Sequence, residues 1–440
     1  MRSRLYRPGK GSAVRTRILY VVGSGEPGPD RHSHRFKEYS RLVTTPLPSD
    51  APFGIYLHIP FCARICPYCD FNTYPHQEGR IPDYVEALIA EMDLTLVSIG
   101  RIPAETVFFG GGTPSLLPPN AAARLITSLR ARFAFAPDAE VTLEVNPETV
   151  DEQSLAAFRE AGVTRLSMGI QSQQLRGLRV LGRGHRPEIA QTAFWEARAA
   201  GFDNVSLDLI FGWPGQTLAD WKRDLDTILD WSPEHLSLYS LIVEPGTPMH
   251  DAVRRGILTT PDDDSTVDMY EMAIERMAAA GWHHYEVSNW ARSPDLISRH
   301  NRIYWRNGRY LGLGAGAHAH VGHTRSSNLL LPETYIDTVH EGRLPVARSE
   351  TLDEATSMGE TMMLGMRLLQ EGVSAAAFER RHGQPLLGIY GRQIEELSGI
   401  GMLTWDGDRV RLTHRGLLLA NDVAERFLPE SVEAPRQRVP

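Results

Sequence analysis

Phe61-Cys62-Ala63-Arg64-Ile65-Cys66-Pro67-Tyr68-Cys69-Asp70-Phe71 holds all three cysteines of this 440-residue chain within eight consecutive positions. An odd number of cysteines excludes a complete set of disulfides. The C-x₃-C-x₂-C spacing lets three thiolates converge on one small object. Thiolate is the soft ligand that iron–sulfur clusters prefer, and a four-iron cube held by three cysteines keeps one iron open to a substrate or cofactor. Two alternatives stand beside this reading. The cysteines could form a Cys₃His zinc site with His58 or His76, although structural zinc sites usually pair C-x₂-C with a distant second pair, which is absent here. They could also be small buried hydrophobes that happen to cluster. Ligand chemistry favours the cluster.

Outward from this loop, short apolar runs alternate with helical patterns. Strands are predicted at Ile55–Ile59, Thr106–Phe109, Val141–Val145, Arg165–Ile170, Val205–Phe211 and Leu236–Ile242. Between them, Val85, Leu88, Ile89, Met92 and Leu96 recur at helical spacing in Asp83–Ser98. Further helices are expected near Asn120–Phe133, Asp151–Ala161, Pro187–Ala200, Leu218–Asp230 and Ser265–Ala280. Strand-then-helix units imply a parallel sheet with helices outside. Six such units predict an α/β fold, an open, partial (β/α)6 TIM-like barrel over residues 51–245. That architecture places functional residues at the C-terminal ends of strands. The cysteine loop follows the first strand and Gly110-Gly111-Gly112-Thr113-Pro114 follows the second. Glu144 ends the third, Gln171 the fourth, and Asp208 lies late in the fifth.

The formal net charge is -8, yet residues 1–50 carry ten Lys/Arg against four Asp/Glu. With its Gly, Pro and Ser, that segment reads as a disordered basic tail. Three of its acids, Glu26, Asp30 and Glu38, count against a mitochondrial presequence. Residues 246–349 read as a loop-rich extension. Residues 350–428 read as a helical, winged-helix-like module: Met402–Trp405 and Arg409–Leu412 flank the Asp406-Gly407 turn, between helices near Leu386–Leu397 and His414–Phe427. Residues 429–440 form a second tail. The module lacks the basic stripe that phosphate contacts require, so no nucleic-acid partner is expected. No run reaches the length of a membrane span. Free thiols and an oxygen-sensitive cluster fit a cytoplasmic setting, and peripheral membrane association is left open.

The cysteine loop resembles the signature of the radical S-adenosylmethionine (radical SAM) superfamily. That resemblance implies a [4Fe-4S] cluster on Cys62, Cys66 and Cys69 with S-adenosyl-L-methionine on its open iron. It implies cofactor contacts from Gly111, Gly112 and Thr113 of the glycine run and from Glu144, Gln171, Arg183 and Asp208, with Arg183 on the carboxylate. Tyr68 is expected to stack on adenine, and Tyr56 is a further contact or core. The runs Ile55–Cys62, Phe109–Ser115 and Asp208–Thr217 resemble the oxygen-independent coproporphyrinogen III oxidase family over roughly residues 52–428. The decarboxylating oxidases carry a fourth cysteine where this chain has Phe71. Residues 1–50 also look too irregular to supply the oxidases' N-terminal region. Both departures point to the heme chaperones of the family, the HemW-type subfamily, whose His-Asn-x-x-Tyr-Trp motif reads His300-Asn301-Arg302-Ile303-Tyr304-Trp305 here. The resemblance implies heme as ligand, with His300, Asn301, Tyr304 and Trp305 as its candidate contacts and His318, His320 or His323 as alternative ligands. It further implies a heme-acceptor protein and a flavodoxin- or ferredoxin-like electron donor. The alternative is radical decarboxylation of coproporphyrinogen III propionates to vinyls. A weaker option is a DNA-binding regulator with the cluster as sensor.

Overall fold

A computed structural model of the chain describes residues 52–429. The basic segment 1–50 and all but the first residue of the 429–440 tail lie outside the described residues. Twelve strands form one sheet. In chain order they are β1 (Phe53–Ile59), β2 (Pro103–Gly111), β3 (Ala134–Val145), β4 (Arg165–Gln171), β5 (Val205–Phe211), β6 (His235–Ser240), β7 (His283–Glu286), β8 (Asn289–Ala291), β9 (Arg309–Leu313), β10 (His318–Val321), β11 (Thr324–Asn328) and β12 (Val346–Thr351). Their spatial order is β12-β11-β10-β9-β1-β2-β3-β4-β5-β6-β8-β7. The sheet does not close on itself, as expected for a partial barrel.

The parallel strands are buried on both faces, so they read as nearly unbroken apolar runs. Ile55, Leu57, Val107 and Phe109 pack outward into a core with helical residues such as Leu88, Met92 and Leu125. The helix of Ile81–Ile99 buries Tyr84, Val85, Leu88 and Met92, as its periodicity predicts. Capping boxes at Asp151 and Thr217 start the helices Glu152–Ala161 and Leu218–Trp231.

The extension departs from its expected loop-rich character. It supplies helices Pro248–Arg254 and Asp263–Ala279 and strands β7 to β11. Strand β9 pairs in parallel with β1, Gly54 opposite Tyr310 and Tyr56 opposite Gly312, and so adds a seventh parallel strand to the six expected. The glycines of Leu311–His318 hide this strand from a search for apolar runs. Close packing demands one of them: a Cβ on Gly312 would lie 1.9 Å from the His318 carbonyl oxygen. Buried Glu91 then fastens the turn after β9. It accepts from the Gly314 N–H at 2.8 Å, Asn328 Nδ2 at 2.6 Å and the Tyr335 hydroxyl at 2.6 Å.

The C-terminal module has its own apolar core, including Met362, Phe378, Ile394, Val410 and Phe427. Three short strands, Val373–Ser374, Leu403–Trp405 and Arg409–Leu412, pack with helices Ala375–His382 and Leu386–Gly399. The helix expected at His414–Phe427 is broken at Leu419 into His414–Leu418 and Ala420–Glu425. Glu371 joins module to barrel through Arg302 at 2.5 Å and Arg306 at 2.7 Å.

Candidate functional site

The cysteine loop leaves the C-terminal end of β1, and its turn closes on a Cys69 N–H to Cys66 carbonyl bond of 3.0 Å. Cys62 is buried, while Cys66 and Cys69 are half-buried. Burial pushes the Cys69 thiol up to about 11 and raises Cys62 as well. Such thiols stay protonated near neutrality unless a cation replaces the proton, and metal ligation does that. Among the described residues, no three His, Cys, Asp or Glu side chains gather tightly enough to hold a single metal ion. His58 is also spent: Nδ1 pairs with the Tyr56 hydroxyl at 3.0 Å and Nε2 with the Asn72 carbonyl at 2.8 Å. Burial lowers its pKa to about 4.

The glycine run does something other than expected. Its close approaches are to the protein itself. A Cβ on Gly112 would sit 2.6 Å from the Phe61 carbonyl oxygen, and one on Gly111, at φ +117°, would strike the His58 ring. The backbone donors are spent too: Gly111 N–H on Glu144 Oε2 at 3.1 Å, Gly112 N–H on the Ile59 carbonyl at 2.9 Å, Thr113 N–H on the Phe61 carbonyl at 2.8 Å. The run clamps the cysteine loop. What it can still offer an ammonium group is carbonyl oxygen.

Arg183 is the cation of the site. It donates from Nη2 to Asn146 Oδ1 at 2.5 Å and to the Gly169 carbonyl at 2.9 Å, and from Nη1 to Cys66 Sγ at 3.7 Å. Its Nε is buried without a partner. A buried guanidinium holding an unused donor beside a cysteine is a ready seat for a carboxylate. Gln171 stands at a β-bulge between β4 and β5 with φ +61°, a left-handed conformation that a Gln adopts at a cost. Tyr68 packs against Leu181, Ile210 and Trp213.

Glu144 and Asp208 lie on the strands that the sequence reading gives them. Val145 ends β3, and Asp208 is the middle residue of β5, facing inward. Asp208 accepts from Ser167 Oγ at 2.9 Å and Ser206 Oγ at 3.2 Å. Burial, and then the Asp208 charge, raise Glu144 to about 8. The concave face of the barrel is therefore lined by polar groups: Tyr56, Glu144, Arg165, Ser206, Asp208 and His235. Sequence reasoning missed Asn146, which links Thr113 Oγ1 at 3.1 Å to Arg183. It also missed Asn72, whose Nδ2 ties the cysteine loop to the carbonyls of Ala315 at 3.1 Å and Leu330 at 3.0 Å. Asn146 follows directly on Glu144-Val145 at a strand end, a signal that could have found it. Asn72 has no such signal.

The His300–Trp305 motif lies at the opposite end of the barrel, and this corrects the expectation of an accessible heme contact. Its helix starts on Glu140 near the middle of β3, which accepts from the N–H groups of Arg299 at 3.1 Å and His300 at 3.0 Å. His300 is wholly buried beneath β1 and β2. Nδ1 pairs with Thr106 Oγ1 at 2.7 Å, Nε2 pairs with the Tyr304 hydroxyl at 2.8 Å, and the ring stacks on Phe108. No nitrogen is left for iron. Trp305 lies under the Arg367 guanidinium, 4.2 Å from its ring centroid. The motif plugs the floor of the barrel.

The radical SAM superfamily matches residues 56–228, and the HemN C-terminal domain matches residues 352–419. The heme chaperone HemW of Mycobacterium tuberculosis is 42% identical over 389 residues, which cover 87% of this chain and 96% of that one. HemW of Bacillus subtilis is 38% identical, covering 85% and 99%. The mitochondrial radical S-adenosyl methionine domain-containing protein 1 of Mus musculus is 34% identical, covering 93% and 95%. Among solved structures, coproporphyrinogen III oxidase (HemN) of Escherichia coli superposes with a TM-score of 0.77 at 22% identity, covering 89% of this chain and 93% of that one. At that identity the likeness concerns the fold.

Proposed function

This chain belongs to the heme chaperone HemW family within the radical SAM superfamily, and on that premise we propose that it binds heme and passes it to an acceptor protein. The observation that carries the reading is the 42% identity over almost the whole chain to a protein named for that role. Cys62, Cys66 and Cys69 would hold a [4Fe-4S] cluster. When bound, such a cluster supplies one-electron reducing power beside an open coordination position.

The chain's own residues supply the rest. Arg183 would take the carboxylate of S-adenosylmethionine. Gly111, Gly112 and Thr113 would present carbonyls to its amino group. Glu144, Asp208 and Gln171 are acceptors for amino or ribose groups, Tyr68 is an aromatic wall, and Tyr56 is a further contact whose hydroxyl pairs with His58. A flavodoxin- or ferredoxin-like protein would donate the electron. Since His300 is spent on Thr106 and Tyr304, heme would bind at another imidazole.

Anaerobic titration of the reconstituted protein with heme tests the reading. A saturable Soret band near one equivalent is expected. Absence of specific binding, or turnover of coproporphyrinogen III to vinyl products, would replace the chaperone reading with the oxidase or with neither.

A further inference from the structure

The inward face of the sheet continues past β1 onto β9, β10 and β11. Tyr310 lies opposite Gly54, His320 opposite Tyr310, and Arg325 opposite His320, so these side chains share one face. Helices Glu354–Gly365 and Ala375–His382 of the C-terminal module close over that face. They bring Glu360, Arg381 and His382 to it. Glu360, buried, takes Arg325 Nη1 at 2.5 Å. Arg309 and Arg381 lie in the same field, and Glu350 stands opposite Arg325 at the exposed rim. Arg381 gives Nη1 to a neutral acceptor, the Arg306 carbonyl, at 3.3 Å. Arg325 Nε and Glu360 Oε2 are buried and unpartnered. Burial, then the Arg325 and Arg381 charges, lower His320 to about 3, so its imidazole adds no positive charge of its own.

A cluster of guanidinium groups with unused donors recognises carboxylates. On the same face as Arg325 lie buried His320 and the half-buried Tyr310 and His318, the last two offering flat rings against which a macrocycle can pack. We propose that this face seats the paired carboxylates of a tetrapyrrole, with Arg325 and Arg381 as their cationic contacts. The proposal rests on the heme reading for the identity of the ligand and on this geometry for its place.

The test compares heme with heme dimethyl ester by Soret titration, and protoporphyrin IX with its dimethyl ester by fluorescence. The esters keep the ring and lose both charges. The full chain is expected to prefer each diacid by about tenfold, the scale of hydrogen bonds to charged groups. Arg381→Gln should reduce that preference by roughly threefold or more, at unchanged ester affinity. Arg325→Gln should do the same if it folds, since it strands Glu360. Arg381 is exposed and carries no such cost. Arg380→Gln, one residue away and exposed, should keep the wild-type preference. If heme binds but diacid and diester are discriminated equally by wild type and Arg381→Gln, this site is wrong and the chaperone reading survives. If heme shows no saturation while protoporphyrin is still read through Arg381, the site stands and the heme reading falls. If neither porphyrin binds, both fall.

Discussion

Replacing His300 with Gln separates a structural plug from a heme ligand. The imidazole is fully buried, bonded to Thr106 at 2.7 Å and Tyr304 at 2.8 Å, and stacked on Phe108 at 5.1 Å. Gln keeps a donor and an acceptor but loses the ring contact and one ideal bond. The cost at neutral pH should be about 2 kcal/mol. A second magnitude comes from linkage. Burial, and then the Arg165 charge, lower the His300 pKa to about 3 from 6.5. Between those values the unfolded chain binds a proton that the folded protein refuses. The stability from neutral His300 is complete above the unfolded pKa and drains away as the pH falls toward the folded one. One such group sets a slope of about 1.4 kcal/mol per pH unit. Urea unfolding of apoprotein at several pH values between about 7 and 5 measures it. Wild type should lose stability steeply on acidification, with His58 and His284, each lowered to about 4, contributing as well. His300→Gln should start lower and lose stability less steeply, by about one proton's worth. Its heme stoichiometry should match wild type. An unchanged slope, or normal stability with heme binding abolished, would refute the plug.

Other substitutions test the remaining assignments. Cys66→Ala should yield protein without the brown iron–sulfur colour on anaerobic reconstitution while heme titration persists; a full four-iron content by iron and sulfide analysis would contradict the ligand set. Arg183→Gln should keep the cluster and weaken S-adenosylmethionine binding by about tenfold in equilibrium dialysis, because a charge-assisted carboxylate contact is lost. Gly112→Ala places a Cβ 2.6 Å from the Phe61 carbonyl. Backbone must shift there, costing about 1–3 kcal/mol in thermal or urea unfolding and lowering the yield of assembled cluster. Glu91→Ala strands three buried donors around the turn after β9 and should cost about 2–4 kcal/mol in the same unfolding assay.

Much of the fold could be read along the chain because its signals are local. Apolar runs such as Val205–Phe211 are long enough to declare a buried strand, and Asp151 and Thr217 announce the helices they cap. Strand β9 was not legible. It is short and interrupted by Gly312, and its apolar residues become a strand only when β1 offers an unpaired edge. The chemistry divides the same way. Three thiols within one loop declare their ligand chemistry by spacing alone, and the chain fixes them close together whatever else folds.

What belongs to Asn146, Asn72 and His300 was settled by tertiary structure. An Asn is an unremarkable surface residue until folding puts Thr113 on one side of it and Arg183 on the other. A His beside Tyr and Trp suits iron until both ring nitrogens meet hydroxyls in a closed barrel floor. Residue types and their spacing state which bonds a chain is able to make. Which of those bonds are already taken depends on partners tens to hundreds of positions away, and only the packed molecule brings them within reach.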